Sequence, residues 1–134
     1  MPLPTVGGGY QIGDGNQNEV QFIAVPAPIA KTVTTTLAAS ELLTQLITSN
    51  PGASTAATYT LPTATQMEAA AYNVKLNTGF DFFIINTSVT AGETTTLAVG
   101  TGWTLVGSGT IAITTTGHFR ARQTAIGSWS VYRI

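Results

Sequence analysis

The chain has 134 residues, enough for one domain with its own core. It contains no cysteine, which excludes disulfides, thiolate nucleophiles and Cys-based metal sites. Five Lys and Arg against six Asp and Glu give a net charge of −1, so the positive field that nucleic-acid binding needs is missing.

Charged residues make up 8% of the sequence, against roughly 25% in an average domain. Threonine supplies the polarity instead, with 25 copies. A Thr-rich, charge-poor surface suits a β protein whose outside meets other protein. No stretch approaches the ~18 apolar residues of a membrane span, so no membrane partner is expected. Met1-Pro2-Leu3-Pro4 has neither a basic nor an apolar leader region. Synthesis in the cytoplasm is the expectation.

Residues 1–30 read as an extended arm. Gly7-Gly8-Gly9 and Gly13-Asp14-Gly15-Asn16-Gln17-Asn18 are turn or coil sequences. Residues 20–25 alternate imperfectly and predict a short strand, ended by Pro26 and Pro28, which cannot donate to a ladder. The arm holds too few apolar residues for a core of its own, so it should order only against a partner. Val6, Tyr10, Ile12, Phe22 and Ile23 are its candidate anchors.

Residues 31–134 read as the folded domain. The β-branched run 32–37 predicts a strand. Ala38, Ala39, Leu42, Leu43, Leu46 and Ile47 fall at helical spacing, with Ser40 a candidate cap. Residues 58–61 predict a strand ended by Pro62, and Thr63 caps an Ala-rich helix over 64–72. The nearly continuous apolar run 80–85 predicts a strand buried on both faces. Strands are then expected at 93–99, 102–106, 109–116, 117–124 and 128–134, separated by glycine turns, the spacing of a sandwich or barrel. The threonine triplets share composition but no period, which disfavours a solenoid. Alternation assigns Phe80, Phe82, Ile84, Leu97, Val99, Trp103, Leu105, Ile111, Ile113, Phe119, Ala121, Trp129 and Val131 to the core.

Signals for chemistry are weak. His118, the single histidine, has no Gly-x-Ser-x-Gly elbow to serve and reads as part of a polar strand face with Arg120 and Arg122. Asp14, Asn16 and Asn18 open like a calcium loop, but Glu19 and Val25 stand where glycine and the bidentate Glu are needed. Gly7-Gly8-Gly9 lacks the Lys-Ser/Thr of a phosphate loop. The carboxylates are too scattered for glycoside hydrolysis. No catalytic residue, cofactor or metal is therefore expected. Arg120, Arg122 and Arg133, three of the five positive charges, can pair bidentately with carboxylates of a partner or a neighbouring subunit, or form a solvated strand face.

The segments Tyr59-Thr60-Leu61-Pro62-Thr63-Ala64, Gly79-Phe80-Asp81-Phe82-Phe83-Ile84-Ile85-Asn86-Thr87, Glu93-Thr94-Thr95-Thr96-Leu97-Ala98 and Trp129-Ser130-Val131-Tyr132-Arg133-Ile134, with Leu42 to Gly52 before them, are similar to those of small virion-surface proteins of tailed bacteriophages. The chain thus resembles the capsid decoration, or cement, proteins. The resemblance implies an all-β, jelly-roll-like sandwich with one or two short helices, a homotrimer, and a place on the outer capsid surface bound to the major capsid protein. On this reading Phe83, Ile85, Arg120 and Arg122 join the arm residues as oligomer or capsid contacts. The alternative is a tail-fibre or receptor-binding domain that reads its target with Trp103, Trp129 or Tyr132.

Overall fold

The structure, a computed structural model, describes residues 22–71 and 73–134. Val6, Tyr10, Ile12 and the Asp14–Asn18 loop lie outside the described residues. Phe22–Pro28 is exposed and without regular structure, so the described part of the expected strand at 20–25 is not a strand. Pro26 and Pro28 remove the N–H groups that would hold it in a ladder.

Ten strands and two short helices follow. They are β1 (Ile29–Lys31), β2 (Thr35–Thr36), α1 (Ala39–Leu42), β3 (Leu46–Ser49), β4 (Ala57–Thr60), α2 (Ala64–Ala70), β5 (Gly79–Asn86), β6 (Thr95–Ala98), β7 (Trp103–Val106), β8 (Thr110–Ile111), β9 (Thr116–Ala125) and β10 (Ser128–Arg133). They form a six-stranded sheet, β1-β3-β5-β9-β10-β7, and a four-stranded sheet, β2-β4-β6-β8. The expected boundary between residues 30 and 31 falls inside β1.

From β1 to β6 the chain alternates between the sheets, and each strand lies parallel to the one a full coil earlier. Ile29, Ile47 and Ile84 share one register position; Tyr59 and Leu97 share another. This is the winding of a solenoid, without its sequence period, because the coils carry loops and helices of different lengths. The winding ends where β9 and β8 add antiparallel to β5 and β6. The two-sheet β architecture expected from the sequence is present. The jelly-roll order is not: it joins antiparallel strands through Greek keys, whereas five of the eight pairings among the described residues are parallel.

Local signals were overridden where the winding required it. Of the strand expected at 32–37 only Thr35–Thr36, β2, forms, since a bend at Val33 carries the chain from one sheet to the other. The helical spacing after Ala38 yields one turn, α1; Gln45 then takes a left-handed conformation (φ 65°) and β3 begins. Ala38, not Ser40, is the cap residue, and the Glu41 carboxylate accepts its N–H at 3.0 Å. Ile47 gains more as a fully buried strand residue between β1 and β5 than in a frayed helix. Helix α2 matches its signal: Thr63 Oγ1 accepts the Gln66 N–H, and Gln66 Oε1 accepts the Thr63 N–H. Of the strand expected at 109–116 only β8 forms, because Thr114 turns the chain at φ 57°.

The core lies between the sheets. Trp129, Tyr59, Phe82 and Phe119 are its largest fully buried members. Phe82 stacks on Phe119 at 5.5 Å and Trp103 meets Trp129 at 5.3 Å, centroid to centroid. Leu37, Leu42, Leu61 and Met67 join from segments the alternation did not assign to it. Val99 is excluded because β6 ends at Ala98, and Ile113 is half-buried beyond the end of β8. Gly79 is required by the closeness of β5 and β9, since a Cβ there would sit 1.8 Å from the Ala121 carbonyl oxygen.

A polar seam crosses this interior. The Ser49 hydroxyl of β3 meets Tyr59 Oη at 2.8 Å and Thr95 Oγ1 at 2.6 Å, tying one sheet to the other. Asn86 Nδ2 donates to the Glu93 and Ile111 carbonyls, and buried Glu93 accepts the Ser54 N–H and the Ser88 hydroxyl. Glu68 fastens α2 to the β9–β10 hairpin: one oxygen, Oε1, accepts Gln123 Nε2 at 2.7 Å, the Gly127 N–H at 2.7 Å and Trp129 Nε1 at 3.2 Å. The Glu68→Ala variant leaves these donors unpaired at the edge of the core. It should lose about 1–3 kcal/mol of stability, read as a lower urea midpoint at unchanged slope; an unchanged midpoint would show that the clasp is idle.

Candidate functional site

Successive strand residues point to opposite faces, and the outer face of the six-stranded sheet is where the unusual side chains collect. Register places Leu46, Phe83 and His118 in one row across β3, β5 and β9. Asp81, Arg120, Tyr132 and Val106 form the next, across β5, β9, β10 and β7. Thr48 and Ile85 flank the first row; Arg122 and Ser130 flank the second. Phe83 is 38% exposed while Phe82 and Ile84 on its strand are sealed. The expectation that both faces of this strand are buried is therefore corrected: among the described residues only the inner face is covered, because none of them packs on the outer side.

Four expected contact residues, Phe83, Ile85, Arg120 and Arg122, thus share one face. Phe22 and Ile23 lie away from it on the exposed stretch before β1. Asp81, His118, Asn77 and Tyr132 complete the polar half. His118 is expected on this face with the arginines from its strand phase; Asp81, Asn77 and Tyr132 are not, because 37 residues separate Asp81 from His118 and only strand pairing brings them together.

Asp81 is the centre of the polar half. Arg120 grips its two oxygens, Nε to Oδ1 at 2.7 Å and Nη2 to Oδ2 at 3.0 Å, and His118 Nε2 meets Oδ2 at 2.8 Å. The hydrogen bond from Arg120, seconded by His118, lowers the Asp81 pKa from 3.8 to about 2. The His118 ring stacks on Phe83 at 4.3 Å. Nε2 of the ring is taken by Asp81, and no serine hydroxyl is bonded to the ring among the described residues.

Arg122 is held differently. Its Nε and Nη2 donate to Tyr132 Oη and its Nη1 to Asn77 Oδ1, all neutral acceptors. The Tyr132 ring also lies under the guanidinium at 5.5 Å, and the hydrogen bond from Arg122 lowers the Tyr132 pKa. Arg120, Arg122, Asn77 and Asp81 line a cleft of about 170 Å³ whose floor is Gly79, Phe80 and Ala121. Gly79, with no side chain on the outer face, keeps that floor low. Such a cleft admits a carboxylate or a single side chain; drug-sized ligands occupy about 300–1,000 Å³.

No three His, Asp or Glu side chains converge on a metal position among the described residues. Trp103 and Trp129 are buried, so neither faces a ligand; of the aromatics expected to read a receptor, only Tyr132 reaches the surface. Comparison with known protein families, with curated proteins and with solved structures returned no match.

Because its pKa is lowered on folding, Asp81 contributes stability above about pH 4 that is lost as the pH falls toward about 2. The carboxylate is 29% exposed, so solvent and salt reduce the contribution. Asp81→Asn should flatten the acid limb of a urea-midpoint against pH curve over that interval. A limb as steep as in the parent would place the acid sensitivity elsewhere.

Proposed function

We propose that the chain is a structural virion protein that decorates a phage capsid and stabilises it as an oligomer, most simply a trimer, bound to the major capsid protein on the outer shell. The observation that carries this reading is the outer face of the six-stranded sheet, where an apolar row lies beside two arginines on a protein otherwise poor in charge. Exposed aromatics and arginines next to apolar area are the composition of protein–protein contacts. The resemblance of the strand segments to decoration proteins points the same way.

The physics of the role is mechanical. Packaged DNA pushes a shell outward, and a subunit bridging two capsomers opposes this by adding interface. Stable interfaces bury about 1,600 Å². Contacts made by apolar side chains are insensitive to the salt that screens surface charge. The tail-fibre alternative relied on exposed aromatics, and two of its three candidates are in the core.

Fluorescently labelled protein mixed with DNA-filled heads and with purified tails should co-sediment with heads alone, and analytical ultracentrifugation should show an oligomer at micromolar concentration. Phe83→Asp should weaken head binding by about tenfold or more, the equivalent of 1.4 kcal/mol, without loss of far-UV β signal. Binding to tails in place of heads, or a stable monomer that binds neither, would overturn the reading.

A further inference from the structure

The outer face is half of an interface, and the charges indicate the other half. Each of the four carboxylates among the described residues is already engaged. Glu41 takes Lys31 Nζ at 2.6 Å, Glu68 takes its three donors, Asp81 holds Arg120 and His118, and Glu93 is buried on Ser54 and Ser88. Arg122 is the converse. It has no carboxylate among the described residues, and its three hydrogen bonds leave two of the five N–H groups of a guanidinium unused. The two acids left in the chain are Asp14 and Glu19, both in residues 1–21.

The apolar side chains show the same complementarity. Phe22, Ile23 and Val25, which continue from those residues, are 92%, 79% and 72% exposed. On the sheet Phe83 is exposed, and Leu46 and Ile85 beside it are half-buried. In the single chain these two surfaces do not meet, so the chain does not cover its own face with this stretch. Asp14 and Glu19 precede the start of β1 at Ile29 by 15 and 10 residues, a tether of up to roughly 50 and 35 Å when extended, enough to cross to a neighbouring sheet.

We propose that the outer face of the six-stranded sheet receives the N-terminal segment of a second copy, with Asp14 or Glu19 seated on Arg122 in the cleft and Phe22–Val25 laid over Leu46, Phe83 and Ile85. The inference rests on the reading of this face as a protein interface and names its partner: arm exchange between copies builds the oligomer. The fork of Arg122 supplies register, because a bidentate carboxylate fixes orientation as well as distance. The apolar stretch supplies most of the buried area. Arg120 takes no part in the charge pairing, since Asp81 already occupies it.

The absence of cysteine makes the test clean. Asn18→Cys is made in one preparation and Ser130→Cys in another; Ser130 lies across from Arg122 on β10. Mixed and treated with a short bismaleimide, the two should give a covalent dimer that neither gives with Thr36→Cys, placed on the four-stranded sheet. Adding Arg122→Glu to the Ser130→Cys chain should cut the yield about tenfold. Adding Asp14→Lys and Glu19→Lys to the Asn18→Cys chain should restore it, which a merely misfolded variant would not allow. A mixture no better than the Thr36→Cys control, a yield indifferent to charge reversal, or cross-linking only within a chain carrying both cysteines would overturn the inference. Cross-linking without binding to heads would remove the capsid reading and leave arm exchange standing; binding to heads without cross-linking would do the reverse.

Discussion

A β-strand presents hydrogen-bonding groups along both edges, and in this chain those edges are almost never filled by the next strand in sequence. Among the described residues only β9 and β10 pair with a sequence neighbour. Every other strand waits for a partner at least one coil away. The parallel pairs β1–β3–β5 and β2–β4–β6 are therefore the constraint on which the rest depends. They set the two sheets face to face, and the β9–β10 hairpin then closes one of them. Such non-local pairing must overcome loop-closure entropy before it gains contacts, which makes folding of this class slow.

The polar seam between the sheets follows from that winding. Two sheets wound from one chain can slide in register against each other unless something directional joins them. Ser49, bonded to both Tyr59 and Thr95, is directional where Ile47 and Leu97 are not. Burial raises the Tyr59 pKa, so the hydroxyl keeps its proton and stays available as a donor. Glu68 acts likewise at the other end of the core, where hydrogen bonds from Gln123 and Gly127 lower its pKa and hold it as a carboxylate.

The outer face shows how a charge-poor protein can still be specific. Arg120 is neutralised by Asp81 and becomes part of the sheet. Arg122, two residues on, is braced by Tyr132 and Asn77 and keeps donors to spare. The same residue type at the same periodicity is bound to a carboxylate in one case and held by neutral acceptors in the other. The distinction lies in which residue of β5 stands opposite: Asp81 faces Arg120, and Gly79, with no side chain, faces Arg122.

Much of the β content was legible in the sequence because it depends on local chemistry. Alternation marks Phe82, Ile84, Phe119, Trp129 and Val131 as inward, and proline and glycine mark the turns. The capping box at Thr63 and Gln66 needs only four residues to be read. The shared face of Arg120 and Arg122 followed from the two-residue period of a strand. Pairing partners did not follow. A parallel crossover leaves no turn signature, so the solenoid-like winding was invisible, and Leu46–Ser49 looked helical because its apolar spacing fits either period. The union of Asp81 with His118 and Arg120 exists only because β5 lies against β9. Sequence determined which residues turn inward, since that is set by solvent. Tertiary structure decided which strands meet, because hydrogen bonds between strands are blind to side-chain identity.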